Sequence, residues 1–273
     1  MKWMHWGLLL LMACGFQSEE VDLVIHNARI VTLDPAGTVG QAVAIHDGMV
    51  IEVGAERAIL NKYRGKETFD AKQATLYPGW MDAHAHILAY ALGLGEVNLM
   101  GTSSWDEVVQ KVAQWSTENP DGWIVGRGWD QNDWENQDFP DRTNLDLLFP
   151  DRPVLLSRVD GHAVIANGAA LRAAGMDADS KFSGGEIVLD AQGVPTGVLI
   201  DASAEAALDA VPEADSLVKV AALMAAEKRL TAVGLTTVVD AGLSVEDILL
   251  IEAMQQAGDF NLRVVAMASD EPA

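Results

Sequence analysis

The stretch Pro78–His86, PGWMDAHAH, constrains this chain more than any other. On an extended strand the side chains at i and i+2 share a face, so Asp82, His84 and His86 project together while Ala83 and Ala85 face the other way. Two imidazoles side by side can take one divalent metal ion, with Asp82 steadying them through hydrogen bonds from behind. Pro78-Gly79 bends the chain just before the strand begins. With six histidines in 273 residues, chance supplies about 0.13 His-x-His pairs. The pair alone therefore also fits two histidines packed in a core.

The rest of the chain must supply a body for this strand. An apolar fraction of 49% is ample for a core, and disorder is excluded on that ground. Formal net charge is −22, from 40 acidic against 18 basic residues. That balance argues against nucleic acid or an anionic membrane surface as a partner and fits a solvated acidic exterior.

The first residues are a separate matter. MKWMHWGLLLLMAC holds Lys2, an apolar run from Trp6 to Ala13, and Cys14, the single cysteine of the sequence. The run is far short of the roughly 20 residues that span a bilayer, but a secretory signal needs only a short apolar core after a basic start. Leu11-Met12-Ala13-Cys14 resembles the lipobox of bacterial lipoproteins, in which the cysteine is lipidated and becomes the mature N-terminus. An ordinary signal peptide or a mis-assigned start codon is the alternative. The expectation is an exported protein of the bacterial envelope or periplasm, touching the membrane only through a lipid anchor at Cys14, with residues 1–20 as signal and tether.

From Val21 the pattern turns strand-like, with Val21, Leu23 and Ile25 alternating with polar neighbours. Asp47-Gly48 between apolar runs predicts a two-residue type I′ hairpin. His26 and His46 read as ordinary turn-flanking residues. Further on, Ser104 with Glu107 forms a capping box ahead of Val108, Val109, Val112 and Trp115 at helical spacing. Asn119-Pro120-Asp121-Gly122 ends that helix. WIVGRGWDQNDWENQDFPDR reads as a loop, PVLLSRVDGHAVIANGAALRAAG as strand, turn and short helix, and GGEIVLDAQGVPTGVLID as a hairpin turning at Asp190–Gly193. Residues 216–233 form a helix ended by Gly234. LTTVVDAG is a strand, Ser244 with Asp247 caps a helix to Ala257, and 262–268 is a further strand. Apolar strands of this kind are expected to be buried on both faces.

PGWMDAHAH resembles the Pro-Gly-x-x-Asp-x-His-x-His motif of the metal-dependent amidohydrolase superfamily. GRGWDQNDW (126–134), LLSRVDGHAVIAN (155–167), GGEIVLDAQGVPTGVLID (184–201) and GLTTVVDAG (234–242) are similar, in order, to blocks of the amidohydrolase-3, or YtcJ-like, branch. The resemblance runs from about Val21 to the end and covers the N-terminal part of a family member only. It implies an α/β fold: an incomplete (β/α)8 TIM-type barrel, preceded by a small N-terminal β-sandwich portion (21–77). Residues 78–273 would be the first part of the barrel, with a long, loop-rich insertion at about 99–214 after the first barrel strand. Three candidate barrel strands are visible, ending at His86, near Asp240 and at 268, where a closed barrel needs eight.

The resemblance also implies the chemistry. His84 and His86 match the family's first two metal ligands, for zinc as one or two ions, with Asp82 behind them. The remaining ligands of the superfamily are a lysine or glutamate on the fourth strand, histidines on the fifth and sixth, and an aspartate on the eighth that serves as the base. None has a place among these residues, so the catalytic base is expected beyond the C-terminus and the 273 residues alone are expected to be inactive. Trp129, Asp130, His162 and Asp240 are the candidates for the substrate pocket; Asp240 could equally cap a loop, and Trp129 could equally be packing. Members often have His where this chain has Val239. The expected activity is hydrolysis of a small-molecule carbon–nitrogen, amide-type bond by metal-activated water. The alternative is a non-catalytic envelope lipoprotein that uses the same scaffold for binding or regulation.

Overall fold

A computed structural model describes residues 18–269. The chain divides into two compact units between Trp80 and Met81, close to the expected division at 77/78. Among the described residues no helix is long and apolar enough to cross a membrane. The expected signal, the expected tether up to residue 17 and Cys14 lie outside the described residues.

The first unit is built of short strands: β1 (Glu19–His26), β2 (Arg29–Val31), β3 (Val39–Gly40), β4 (Ala42–His46), β5 (Met49–Gly54), β6 (Tyr63–Asp70) and β7 (Thr75–Leu76), with one helix, α1 (Glu56–Lys62). One sheet has the order β5-β4-β1-β6 and a second the order β3-β2-β7. The predicted hairpin joins β4 to β5, with Asp47 at φ 48° and Gly48 at φ 72° as a type I′ turn requires. Ile30 and Leu76 from the second sheet share a core with Ile25, Val43, Ile45 and Val53 from the first.

The second unit contains β8 (Trp80–Ala85, opening on the boundary residue), α2 (Ile87–Gly93), β9 (Val97–Asn98), α3 (Trp105–Glu118), β10 (Ile124–Trp129), α4 (Thr143–Leu148), β11 (Val154–Arg158), β12 (Ala163–Ala166), α5 (Gly168–Ala173), β13 (Gly185–Leu189), β14 (Pro195–Asp201), α6 (Ala202–Leu208), α7 (Ser216–Ala232), β15 (Leu235–Leu243), α8 (Val245–Ala257) and β16 (Arg263–Ala268). Side-chain caps at Ser104, Asp215 and Ser244 start α3, α7 and α8. Each accepts a backbone N–H that the first helical turn cannot pair internally.

The three candidate barrel strands do form one sheet, in the order β16-β15-β8, with β15 and β16 parallel. Ile87 and Ala91 of α2, Leu223 and Ala226 of α7, and Ile251 and Met254 of α8 bury Val238 and Leu243 of β15. The expected burial on both faces is not found. Met81 is 61% exposed, Val265 47% and Met267 53%, because β8 and β16 are edge strands covered by helices on one face.

The insertion is not loop-rich. It carries a six-stranded sheet, β13-β14-β12-β11-β10-β9, that begins at Val97, slightly ahead of the expected start. β9, β10 and β11 run parallel, and β12, β14 and β13 continue antiparallel. Side chains alternate along β11: Val154 and Leu156 pack with Val108, Val112 and Leu145 from α3 and α4, while Leu155 packs with Ala170, Leu171, Ala204 and Ala207 from α5 and α6. A sheet covered on both faces needs apolar residues at successive positions, which is why PVLLS reads as a continuous run.

Candidate active site

β8 ends at Ala85, so His84 is the last-but-one residue of the strand and His86 is the N-cap of α2. Both are exposed. Their rings meet edge to face, centroids 5.5 Å apart at 90°. An imidazole that binds zinc at about 2.0–2.1 Å puts its centroid about 3.2 Å from the ion, so two on one tetrahedral ion stand about 5–5.5 Å apart. The observed spacing fits that donor set. Neither ring has a hydrogen-bond partner among the described residues, which leaves their nitrogens open to a ligand.

Asp82 does not steady the imidazoles. Its Oδ1 accepts the backbone N–H of His84 at 3.1 Å, a local turn-like bond that a short acidic side chain forms two residues ahead. Its part is to shape the strand under His84.

Asp240, from β15, is 1% exposed. Its Oδ2 accepts the backbone N–H of Ile87 at 2.5 Å and its Oδ1 that of Gly242 at 3.0 Å. His86, Asp240 and Asp247 share a cavity of about 260 Å³ with Leu88, Ala89, Leu92 and Leu243. Asp247 is paired with Lys219 at 2.8 Å. Of the four pocket candidates, Asp240 alone stands beside a histidine of the pair. Trp129, Asp130 and His162 do not line this cavity.

Trp129 belongs to the core. It is fully buried, and its indole N–H donates to Leu156 O at 2.8 Å. The register slips between Arg127 and Trp129, with Gly128 at φ 110° and its backbone against Met100. That bulge turns the indole inward. Asp130 is a cap: its Oδ1 accepts both the backbone N–H of Asn132 at 3.0 Å and that residue's side-chain amide at 2.9 Å.

His162 lies in the turn between β11 and β12, with its side chain 72% exposed. Its Nδ1 meets Asp201 Oδ1 at 3.0 Å, and its backbone N–H donates to Asp160. Asp160 is paired in turn with Arg158, whose hydrogen bond holds the Asp160 carboxyl below the usual range. Asp201 sits at φ 51°, ψ −122°, a strained backbone for a residue with a Cβ. This polar cluster at the rim of the insertion sheet escaped the sequence reading except for His162, since 39 residues separate the histidine from its carboxylate.

Two further features were missed. A cavity of about 630 Å³ is lined by Trp105, Trp134 and Phe139 with Glu135, Asp138 and Asp141; Trp134 is itself buried, its indole N–H on Thr102 O, and Trp105 is the partly exposed tryptophan of the pair. In the first unit, Asp22, His46 and Asp47 bring ligand atoms within 4.8 Å of one another, the one such three-residue group among the described residues. His46 Nδ1 is 3.2 Å from Asp22 Oδ2, without hydrogen-bond geometry. Lys66 holds the other oxygen of Asp22 at 2.9 Å and keeps that carboxyl at about 2. A lysine already neutralises it, which disfavours a cation there. No third donor of this kind joins His84 and His86 among the described residues.

The chain is 35% identical over 215 residues to the amidohydrolase YtcJ of Bacillus subtilis, which covers 77% of this chain and 41% of the relative. It is 31% identical to the N-substituted formamide deformylase of Arthrobacter pascens, over 87% of this chain and 45% of that protein. The crystal structure of an uncharacterized metal-dependent hydrolase from Pyrococcus horikoshii shares the fold, with a TM-score of 0.69 at 22% identity over 90% of this chain and 48% of that one. The chain thus spans less than half the length of the curated relatives it matches. The amidohydrolase family model matches residues 67–273, and the chain belongs to that family, on its amidohydrolase-3 branch.

Proposed function

We propose that the product containing this chain is a metal-dependent hydrolase of small molecules with amide-type carbon–nitrogen bonds, in which His84 and His86 are the first two donors to a divalent ion, zinc by chemical preference. The observation that carries this reading is the 5.5 Å edge-to-face placement of two unpartnered imidazoles at a strand end. Zinc so held lowers the pKa of a bound water to near 7 and polarises a carbonyl. The chain's own residues do the rest of what can be assigned to them. Ala85 and Ile87 anchor the histidine strand in the core shared with α7 and α8, and Leu88, Leu92 and Leu243 make the wall beside His86 apolar. We also assign His162, whose ring Asp201 engages outside the cavity beside His86, to a polar part of the substrate.

A four-coordinate ion needs donors besides these two, and hydrolysis needs a base. We assign both to the part of the family's length that this chain does not span, so the 273 residues alone are read as inactive. A relative named as an N-substituted formamide deformylase supports the amide class. Residues 11–14 support a lipid-anchored envelope location for the product.

The test is the His84→Ala/His86→Ala double variant of the full-length gene product. Zinc content by mass spectrometry and hydrolysis of N-substituted formamides should be lost together. Unchanged zinc stoichiometry in that variant would sink the reading and leave the histidines as structural. Zinc retention by the wild type without any hydrolysis would favour the binding lipoprotein.

A further inference from the structure

We propose that Asp240 is the positioning residue for His86, acting through the backbone; this rests on the metal reading given above. A buried carboxylate must have partners, and the two that Asp240 takes are both backbone N–H groups. One is the amide of Ile87, contributed across 153 residues of sequence. Ile87 opens α2, so its N–H has no partner inside the helix.

The consequence falls on His86. The peptide bond between His86 and Ile87 is planar, so holding the Ile87 N–H also holds the His86 carbonyl. His86 sits at φ −130°, ψ 80°, neither strand nor helix. This is the joint at which the chain leaves β8 and enters α2, and the direction of the imidazole depends on it. Metal-binding histidines are usually oriented by a hydrogen bond to the second ring nitrogen. His86 has none among the described residues, and the clamp on its backbone takes that place. Asp240 comes from the middle strand of its sheet, with β8 and β16 on either side, so the rigid centre of the sheet fixes the histidine at its edge.

Each Asp240 oxygen accepts one N–H, which assigns the residue to orienting a donor; since a carboxylate oxygen keeps a second lone pair, orienting a donor and being one are told apart by experiment. That distinction can be measured in the full-length protein. Asp240→Asn should keep the zinc stoichiometry and, after cobalt substitution, the same visible absorption band shape. Its zinc dissociation constant, measured by chelator competition, should rise about 10- to 100-fold, with kcat reduced and KM unchanged. Ile87→Pro removes the donor instead of the acceptor, at the first helical position, where proline is tolerated. It should reproduce the loss of zinc affinity with the carboxylate still in place, and it carries the test if Asp240→Asn does not fold.

A cobalt spectrum that loses a donor in Asp240→Asn makes Asp240 a ligand and overturns the proposal. Unchanged zinc affinity in both variants overturns it as well. A wild-type protein that binds no zinc removes the metal reading itself. Wild-type binding with indifferent variants removes the positioning role alone.

Discussion

Lys219 Nζ donates to Asp247 Oδ1 at 2.8 Å, tying the first turn of α7 to the first turn of α8, with both side chains 13% exposed. Ser244 completes the group: its hydroxyl donates to Asp247 Oδ2 at 2.7 Å and accepts the Asp247 N–H at 3.1 Å. Burial raises the Asp247 pKa, but the hydrogen bonds from Lys219 and Ser244 outweigh it and the net shift is downward from 3.8. The Lys219 pKa is raised from 10.5, chiefly by the same hydrogen bond.

The sign of the pH dependence follows from those directions. Asp247 has a folded pKa below its unfolded one, so its stabilisation is complete above 3.8 and is lost as pH falls through the lower folded value. Lys219 is the converse, stabilising fully below 10.5 and failing as pH rises through its raised value. Lys219→Met should destabilise the unit by about 1–3 kcal/mol at neutral pH, since Ser244 still serves the carboxylate. Urea unfolding of wild type and variant should converge as pH falls below 3.8. A constant gap down to the acid limit would mean that the pair contributes packing alone.

Trp129 is expected to matter for stability and not for substrate. Trp129→Phe leaves Leu156 O without its indole donor and should cost about 1–3 kcal/mol. Trp129→Ala opens a cavity in the insertion core and should cost about 3–5 kcal/mol. Urea midpoints check both, and KM measured on Trp129→Phe should equal that of the wild type. A raised KM in a variant that stays folded would return Trp129 to the pocket.

What the sequence shows is what is local. The Ser104 cap on the Glu107 N–H, the Asp47-Gly48 turn and the neighbouring i, i+2 histidine rings each depend on neighbours within a few residues; the Glu107 carboxylate of the expected capping box reaches Ser103 instead. β10 reads as loop because two glycines and a bulge break its alternation, although Ile124 and Trp129 are fully buried. β12 is only four residues long and follows a turn, so ALR-type helix signals downstream obscure it. The partnerships of His162 with Asp201 and of Asp240 with Ile87 join positions far apart in the chain, and no spacing rule reports them.

Cys14, outside the described residues, gives a prediction independent of the fold. Protein made in a bacterial host should begin at Cys14 with a lipid attached, and Cys14→Ser should leave it uncleaved and unlipidated. Mass spectrometry of the mature N-terminus decides. An unmodified cysteine, or cleavage elsewhere, would leave an ordinary signal peptide.

Asp201 and His162 give the last. The Asp201 N–H donates to His162 O at 2.8 Å while its carboxylate meets the ring at 3.0 Å. The two residues are thus joined through backbone and side chain, and the joint places Asp201 at φ 51°. Such a conformation costs a residue with a Cβ about 1–3 kcal/mol, which glycine avoids. The exposed side-chain contact returns little of that, since solvent competes for it. Asp201→Gly should therefore unfold at an equal or higher urea concentration than the wild type. In the full-length protein it should also lower kcat/KM, because the ring of His162 loses the carboxylate that orients it, and His162→Gln should lower it without adding stability. Asp201→Asn, which tolerates the same backbone and still offers an oxygen to the ring, should fall between. A glycine variant that is less stable than wild type would show that the strain is absent, and one with full activity would show that the pair serves no substrate.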